Sequence, residues 1–435
     1  MMMELTINQT DYTRKWPRIR SAEIELKTPS GWNAVSRKPV RLGRIGYQNL
    51  RIRATLPANK SRIRARYILR AGKRILVRGR SQLVKRGGPH LELRSVTAGS
   101  GATCGVLISR RAVCWGRGTY GELGIGRAPR HVLLPVRVKR LGKVASVSIS
   151  SGFACAILID RRASCWGSNS DGTLGTGDQR DSLLPRPVKR LKNVRQIRLS
   201  GYNACAVMIK GTVSCWGSNG AFGVRGSTRV VPRRVKGIDD AYAISAGGRV
   251  TCAIRRNHRV VCWNMRTFKL RPKRHLGQVK AIQIADEYSG CAIRVSDRLI
   301  CWGGNSDGQL GIGTREPRRG PVLVRGAGKV RDVTTDGQRV CVVRISGRLL
   351  CWGNNYLGDL GTGDFRYRLR PTPVPGMRDV RSIEGQSLGG ACGIRRDDSA
   401  FCWGDNSAGS LGTGTLVNQL LPATVLTKGR PIEHP

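Results

Sequence analysis

Fourteen cysteines are the residues of this chain best suited to chemistry, and they fall into seven pairs. The two members of every pair are ten positions apart, and tryptophan follows each second cysteine. The pairs are Cys104 and Cys114, Cys155 and Cys165, Cys205 and Cys215, Cys252 and Cys262, Cys291 and Cys301, Cys341 and Cys351, and Cys392 and Cys402. Paired cysteines without a leftover are typical of disulfides.

The spacing of ten suits a disulfide across a hairpin. A three-residue turn centred five positions after the first cysteine places both cysteines opposite each other, with Cα atoms about 4.5–5.5 Å apart. That separation is within the range that a disulfide needs. Free thiols packed in an apolar slot are a second interpretation. Metal binding is a third, which is disfavoured because no second Cys or His pair lies at zinc spacing.

The other reactive residue types show no shared arrangement. Five histidines fall in different parts of the chain: His90, His131, His258, His275 and His434. Carboxylates are scarce, and those in the Gly-rich segments are of the type that forms turns. Leu-Gly-x-Gly recurs at 123–126, 174–177, 310–313, 360–363 and 411–414, without the Lys-Ser/Thr of a phosphate-binding loop. We therefore expect no catalytic residues, no metal site and no cofactor, and a protein that is not an enzyme.

The elements that must position the cysteines repeat with them. Successive first cysteines are 51, 50, 47, 39, 50 and 51 residues apart. Each unit contains short apolar stretches of alternating pattern, separated by polar or Gly-rich turns, and helical periodicity is missing. Seven units of about 50 residues predict an all-β, seven-bladed propeller.

The repeated motif resembles a known family. Cys291 to Gly313, Cys341 to Gly363 and Cys155 to Gly177 are similar to the regulator of chromosome condensation repeat, and the paired cysteines resemble its bacterial branch. The resemblance covers about residues 89–428 and implies the seven-bladed fold. The founding eukaryotic member is a nucleotide exchange factor for a small GTPase and binds chromatin, whereas bacterial relatives include secreted propellers that inhibit β-lactamases. Repeats this short leave no room for the wedge that the exchange factor inserts within a blade.

The fourth unit departs from the repeat. After Trp263 it lacks the whole Gly-rich loop and is rich in basic residues. Simple loop deletion is one interpretation. The other is a notch or a basic binding patch made of Arg266, Lys269, Arg271, Lys273 and Arg274.

The chain is strongly basic, with 77 Lys and Arg against 27 Asp and Glu. Such a charge favours polyanions, which include cell-surface polymers and nucleic acid. Residues 1–90 alone hold 22 basic and 4 acidic residues. Alternating patterns at 51–56, 62–69 and 74–78 predict strands there. We expect a flexible segment at 1–17, a basic β-rich domain at 18–88 with a sandwich as the favoured arrangement, the propeller at 89–428 and a tail at 429–435.

These features predict a binding scaffold rather than a catalyst. We expect a monomeric, secreted or cell-surface propeller, without a transmembrane segment, that binds a protein or an anionic cell-surface ligand. The start of the chain shows no signal peptide, so a cytoplasmic location is the alternative. The alternative function is that of an exchange factor-like, chromatin-binding or nucleic-acid-binding regulator.

Overall fold

The computed structural model of the chain describes residues 91–218, 229–264, 267–386 and 389–427, apart from the side chain of Arg319, and before them only the strand pairing of seven segments. The chain divides into two compact units, residues 1–89 and 90–435. No helix in the described residues is long and apolar enough to cross a membrane.

The first unit contains seven described strands. Strand β1 pairs antiparallel with β4, and a second sheet has the order β3-β2-β5-β6, with β7 also paired to β5. The strands are β1 (Met2–Ile7), β2 (Ser21–Thr28), β3 (Gly31–Pro39), β4 (Leu50–Thr55), β5 (Arg62–Ala71), β6 (Arg74–Arg78) and β7 (Gln82–Lys85). The predicted strands at 51–56, 62–69 and 74–78 coincide with β4, β5 and β6. The sandwich arrangement, the flexible segment at 1–17 and the tail at 429–435 stay predictions.

The second unit is a seven-bladed propeller, as predicted. Every blade is a four-stranded antiparallel meander. The blades are, in order, β8 (Leu93–Ala98), β9 (Ala102–Leu107), β10 (Ala112–Arg117) and β11 (His131–Arg137); β12 (Val144–Ile149), β13 (Phe153–Leu158), β14 (Ala163–Gly167) and β15 (Ser182–Pro187); β16 (Val194–Ser200), β17 (Asn203–Met208), β18 (Val213–Gly217) and β19 (Arg229–Arg234); β20 (Ala241–Gly247), β21 (Val250–Arg255), β22 (Val260–Asn264) and β23 (Leu270–Pro272); β24 (Val279–Ile284), β25 (Gly290–Arg294), β26 (Leu299–Gly303) and β27 (Arg318–Leu323); β28 (Val330–Thr335), β29 (Arg339–Arg344), β30 (Leu349–Gly353) and β31 (Arg368–Pro373); and β32 (Val380–Gly385), β33 (Ala391–Arg395), β34 (Ala400–Gly404) and β35 (Gln419–Thr424).

The propeller has no single core. Each apolar cluster takes its residues from two neighbouring blades, such as Val106 of the first blade with Val144 and Trp166 of the second. The outer strands are the least buried, and a short 3-10 turn at Arg274–Leu276 follows β23. Burial therefore holds the blades to one another, and each Trp lies at such a seam.

The antiparallel meander gives the propeller two different faces. The connections after the first and third strands of each blade emerge on one side, which we call the loop face, and it carries the Gly-rich loops 118–130, 168–181, 304–317, 354–367 and 405–418. The connections after the second and fourth strands start from the opposite ends of their strands, and together we call them the turn face. The fourth-strand connections also reach the Gly-rich loops, since Lys139 N–H donates to the Gly124 carbonyl at 2.9 Å and Lys189 N–H to the Gly175 carbonyl at 3.0 Å. The turn face consists of residues 108–111, 138–143, 159–162, 188–193, 209–212, 235–240, 256–259, 273–278, 295–298, 324–329, 345–348, 374–379, 396–399 and 425–427.

All seven cysteine pairs are disulfides, which confirms the first interpretation of the spacing. In each blade the two cysteines are register partners on the second and third strands, with Cα atoms 4.0–4.1 Å apart. In the first blade the hairpin closes with a hydrogen bond from Arg110 N–H to the Leu107 carbonyl at 2.8 Å. A three-residue turn of this type ends in a left-handed residue, and Arg110 has φ 66°.

Two segments that are far apart in sequence close the ring. Strand β35 completes the seventh blade next to β34. Leu91, from the N-terminal side, accepts a hydrogen bond from Ala400 N–H at 3.0 Å, and Leu93 N–H donates to the Asp398 carbonyl at 2.9 Å. Every blade is therefore made of one continuous stretch of sequence, and the segment before β8 seals the seam between the last blade and the first.

Candidate functional site

The cysteines form no reactive site. All fourteen are at most 4% exposed, and none is free. Each disulfide lies inside a blade between two paired strands, where it can only hold these strands together. The chemistry that the cysteine pairs provide is structural.

The Gly-rich loops clamp neighbouring blades. At five seams, the Nε1–H of the Trp of one blade donates to a carbonyl of the preceding blade's loop at 2.8–2.9 Å; the pairs are Trp115 with Ser410, Trp166 with Glu122, Trp216 with Thr173, Trp352 with Gln309 and Trp403 with Asp359. At each of these seams the second Gly of the loop's Leu-Gly-x-Gly donates its N–H to the outer strand of the next blade, as Gly313 does to the Leu369 carbonyl at 2.8 Å. We call this pair of hydrogen bonds the clamp.

Glycine is required where the clamp is tightest. Gly175 has φ +66°, and a Cβ on it would lie 2.9 Å from Nε1 of Trp216. The equivalent Gly311 and Gly361 approach Trp352 and Trp403 in the same way. Leu-Gly-x-Gly is therefore a structural motif in this chain, as its repetition predicts.

Buried asparagines fix the same loops. The Oδ1 atoms of Asn169, Asn305, Asn355 and Asn406 each accept a hydrogen bond from the Leu N–H five residues later at 2.9–3.0 Å. The loop carboxylates are also engaged, since a hydrogen bond from Arg186 is the main cause that lowers the pKa of Asp178 far below its ordinary value. In the described part of the chain, no three Asp, Glu, His or Cys side chains come together as metal ligands.

The histidines do not assemble into a catalytic group. Nδ1 of His131 lies 3.2 Å from the Ala408 carbonyl, and Nδ1 of His258 lies 3.3 Å from the Val279 carbonyl. His275 is exposed in the 3-10 turn. His90 and His434 lie outside the described residues. His131 thus belongs to the first blade, while His258 and His275 are in two different connections of the fourth.

A polar cavity of about 300 Å³ opens on the loop face, where the innermost strands of the blades surround the axis. Glu384 and Arg198 line it. Burial raises the pKa of Glu384 to about 7, with a smaller contribution from Asp332, while Arg198 opposes the rise. Asp332 accepts hydrogen bonds from Val333 N–H and from Ile383 N–H, both at 3.0 Å, so its carboxylate joins the sixth blade to the seventh. Burial also raises the pKa of Asp332.

The described basic residues predicted as a patch in the fourth blade lie along and beside the short strand β23. Lys269 immediately precedes β23, and Arg271 lies within it. Lys273 and Arg274 follow it in the connection 273–278. Arg266 lies outside the described residues, and the patch stays a prediction.

The turn face is the most charged surface of the propeller, and the sequence did not single it out. It carries 22 basic residues, namely Arg110, Arg111, Lys139, Arg140, Lys143, Arg161, Arg162, Lys189, Arg190, Lys192, Lys210, Lys236, Arg256, Arg259, Lys273, Arg274, Arg298, Arg325, Lys329, Arg348, Arg378 and Arg396. It has seven acidic residues: Asp160, Asp239, Asp240, Asp297, Asp379, Asp397 and Asp398. The five Gly-rich loops of the opposite face hold nine acidic and five basic residues.

Most acidic residues of the turn face are neutralised from within the blades. Five of the seven make ion pairs with basic residues of strands: Asp239 with Arg234, Asp240 with Arg255, Asp297 with Lys280, Asp379 with Arg395, and Asp398 with Arg381. The Lys and Arg residues of the turn-face connections therefore have few carboxylates as partners. The imbalance is greatest in the connections of the first three blades, 108–111, 138–143, 159–162, 188–193 and 209–212, which we call the basic sector. Eleven basic residues there face one carboxylate, Asp160, which pairs with Arg162.

Four arginines of the basic sector occupy left-handed backbone positions. Arg110, Arg140, Arg161 and Arg190 have φ between 52° and 67°. At the equivalent turn positions other blades have Gly211, Gly347, Gly237, Gly326 and Gly376, which adopt this conformation without steric cost, and the left-handed His258, Asp297 and Asp398. An L-residue there costs roughly 1–2 kcal/mol. The first two blades thus carry positive charge at positions where the backbone favours glycine.

Comparisons with known proteins agree with this architecture. The model of the Regulator of chromosome condensation (RCC1) repeat matches residues 113–157, 165–207, 296–343 and 346–391. The human protein "Regulator of chromosome condensation" is 33% identical over 72 residues, and this match covers 17% of each chain.

Two solved yeast structures have the same fold. Saccharomyces cerevisiae Prp20p, described with its binding properties to Gsp1p and histones, has a TM-score of 0.63 at 18% identity, with 78% of this chain and 88% of that chain covered. Yeast RCC1 (Prp20) bound to Kap60 has a TM-score of 0.62 at 17% identity, with 82% and 91% covered. At these identities the likeness concerns the fold.

Proposed function

We propose, because the chain carries regulator of chromosome condensation repeats in a closed seven-bladed propeller, that it is a non-enzymatic binding scaffold whose basic sector binds a linear anionic polymer of the cell surface. The observation that carries this proposal is the retention of arginine at four left-handed turn positions within a surface of eleven cations and one carboxylate. Glycine adopts this backbone conformation without steric cost, and no other described blade has a Lys or Arg in it at these positions.

The charge distribution fits a polymer with repeated anionic groups. The cations of the basic sector are spread over five connections of three neighbouring blades rather than gathered in one pocket. A row of exposed Lys and Arg suits successive phosphate, sulfate or carboxylate groups, and such binding is strongly salt-dependent.

The disulfides support a location outside the cytoplasm. Seven disulfides with no free cysteine are typical of an oxidising compartment. This location favours a cell-surface polymer over chromosomal DNA as the ligand. Thiol titration under denaturing conditions, on the protein isolated from its natural source, tests this location. Close to no free thiols are expected, and about fourteen would overturn the extracytoplasmic location.

The test of the polymer site uses two variants that remove the same charge from different connections. The turn-face variant replaces Lys143, Arg161, Lys192 and Lys210 with Gln, and the loop-face variant replaces Arg127, Arg130, Arg180 and Arg366 with Gln. All eight side chains are exposed. Binding to heparin and to polyphosphate is measured by titration calorimetry between 50 and 300 mM NaCl, concentrations that bracket about 150 mM physiological ionic strength.

We expect the parent protein to bind both polymers with an affinity that falls as salt rises. Four lost contacts should lower the slope of log affinity against log salt by about 3, at roughly 0.7 per contact for a flexible polyanion. The loop-face variant should keep the parent slope. Equal losses in both variants would overturn the site, and tighter binding to a DNA duplex than to heparin at matched charge would overturn the choice of ligand.

A further inference from the structure

Two seams lack the clamp among the described residues. At the seam between the third and fourth blades Trp263 Nε1–H has no described acceptor, and the loop residues 219–228 lie outside the described part of the chain. The seam between the fourth and fifth blades has no Gly-rich loop in the sequence. Between the fourth and fifth blades, the connection after Trp263 is closed early by a hydrogen bond from Phe268 N–H to the Asn264 carbonyl at 2.9 Å. The Phe268 ring then turns to the third blade, where the Arg229 guanidinium lies 4.0 Å from the ring centroid. The fourth blade thus sends no Gly-rich loop to the fifth.

The receiving side of this seam is open. Trp302 is the only one of the seven blade tryptophans that is not at most 1% exposed, and no described residue accepts a hydrogen bond from its Nε1–H. A Cβ added to Gly320 would meet nothing within 4 Å. We call this gap, bounded by Trp302, Gly320 and the end of β22, the notch.

The fifth blade also departs from the repeat at the position that a Gly-rich loop of the fourth blade would contact. At clamped seams a leucine near the start of the outer strand packs against the incoming loop, as Leu369 does against Gly308 and Leu420 against Gly358. The strand register aligns these leucines with Arg319 in the fifth blade. A loop deletion alone would leave a leucine exposed there. Instead both sides of the seam depart from the repeat together, while Trp302 is kept.

The rim of the notch indicates the charge of its ligand. Arg318 on the fifth blade and Lys269 and Arg271 on the fourth are exposed and make no ion pair with a described residue. Arg319 adds a further cation by sequence. The loops that fill the equivalent seams are glycine-rich and acidic; residues 168–178 contain two Asp and no Lys or Arg. An acidic turn therefore complements the outer edge of the notch.

We propose that the notch binds an acidic, glycine-containing turn of a partner protein, which supplies in trans the clamp that other seams make in cis. A carbonyl of the turn accepts from Trp302 Nε1–H, a glycine allows the turn to contact the indole, and a turn N–H donates to the Arg319 carbonyl. A second copy of this chain is a poor donor, because its five described Gly-rich loops are engaged in their own clamps. This site lies at the seam of the fourth and fifth blades, outside the basic sector of the first three, and does not rest on the polymer proposal.

The chain offers its own probe for this site. A cyclised peptide of residues 168–178 carries the turn that fills the seam beside Trp216. The control peptide has Gly175→Val, because a side chain there would collide with the indole; the Cβ alone would lie 2.9 Å from Nε1 in the filled seam. Binding to the full chain is followed by the indole N–H signals in NMR spectra of the 15N-labelled protein.

We expect the parent peptide to shift one indole signal, which Trp302→Phe removes from the spectrum. Affinity should fall at least tenfold in Trp302→Phe and with the control peptide. No indole shift at millimolar peptide, an equal response to the control peptide, or binding that persists in Trp302→Phe would overturn the proposal. So would concentration-dependent dimerisation of the free chain that the peptide does not compete with but Trp302→Phe abolishes.

Discussion

Replacing the four left-handed arginines of the basic sector with glycine should make the propeller more stable and a weaker polymer binder. The substitutions are Arg110→Gly, Arg140→Gly, Arg161→Gly and Arg190→Gly. Each relieves a backbone conformation with φ between 52° and 67°. Each also removes one cation from the turn face, so that stability and binding should change in opposite directions.

The size of the stability gain follows from two opposing effects. A left-handed L-residue costs roughly 1–2 kcal/mol. Glycine reduces the resulting gain in stability by about 0.5–1 kcal/mol, because it also gives the unfolded chain more conformational freedom. The net gain is about 0.5–1 kcal/mol at each site, or about 2–4 kcal/mol for four separate turns. Relief of repulsion among the neighbouring cations has the same sign.

Thermal unfolding with the disulfides intact measures the first effect, and heparin titration measures the second. A gain of this size corresponds to an increase of several degrees in melting temperature, since about 1 kcal/mol shifts a domain of 150–250 residues by roughly 2–4 °C. Four lost contacts should lower the salt slope by about 3, at roughly 0.7 per contact. The gain should appear in each single variant at about a quarter of the size.

The matched control removes four arginines that immediately follow the left-handed residue of a hairpin, at Arg111, Arg259, Arg298 and Arg348. These positions have no positive φ. Glycine there should lower stability, because it adds freedom to the unfolded chain without relieving strain. A control as stabilised as the test variant would show that charge repulsion alone is responsible. A test variant with lower stability or unchanged heparin affinity would refute the reasoning.

Three further predictions concern the blades and the polar cavity around the axis. Joint replacement of Cys155 and Cys165 by Ala should lower the free energy of unfolding by about 2–3 kcal/mol in non-reducing guanidinium titrations, since the disulfide closes a short loop. Trp352→Phe loses a buried hydrogen bond and should cost about 0.5–1.5 kcal/mol, whereas Trp302→Phe should change the melting temperature much less. Glu384, with a pKa of about 7 against an ordinary 4.5, keeps a proton that the unfolded chain releases, so stability should fall as pH rises from about 5 to 7. In Glu384→Gln that decline should be smaller, and an unchanged melting temperature profile between pH 5 and 8 would contradict it.

The fold could be predicted because its determinants are local and repeated. A constant spacing between cysteines requires a hairpin, and seven copies at about 50 residues define the blades. Ring closure was harder to predict because it depends on the contacts between Leu91 and the last blade, which are distant in sequence. Ala400 N–H, for example, donates to a carbonyl more than 300 positions earlier.

The binding surface was not predicted, because the sequence spreads it over distant positions. Arg110 and Arg190 are 80 positions apart, yet both are on the turn face. The sequence pointed instead to the contiguous basic residues of the fourth unit, which lie along and beside β23. A signal was present in the aligned repeats, where Arg110 and Arg161 occupy the position of Gly211 and Gly347. It becomes meaningful only when the backbone conformation at this position is known.

The two proposed sites should act independently, because the basic sector belongs to the first three blades and the notch lies at the seam between the fourth and fifth. The two ends of a strand of about six residues, at roughly 3.3 Å per residue, are about 20 Å apart. The Debye length at physiological salt is about 8 Å, so polymer bound to the turn face should not alter the electrostatics of the notch. The protein saturated with heparin should therefore bind the 168–178 peptide with unchanged affinity. A change greater than about threefold, or about 0.65 kcal/mol, would mean that the blades transmit binding between the faces, and a rigid scaffold with two separate sites would no longer describe the molecule.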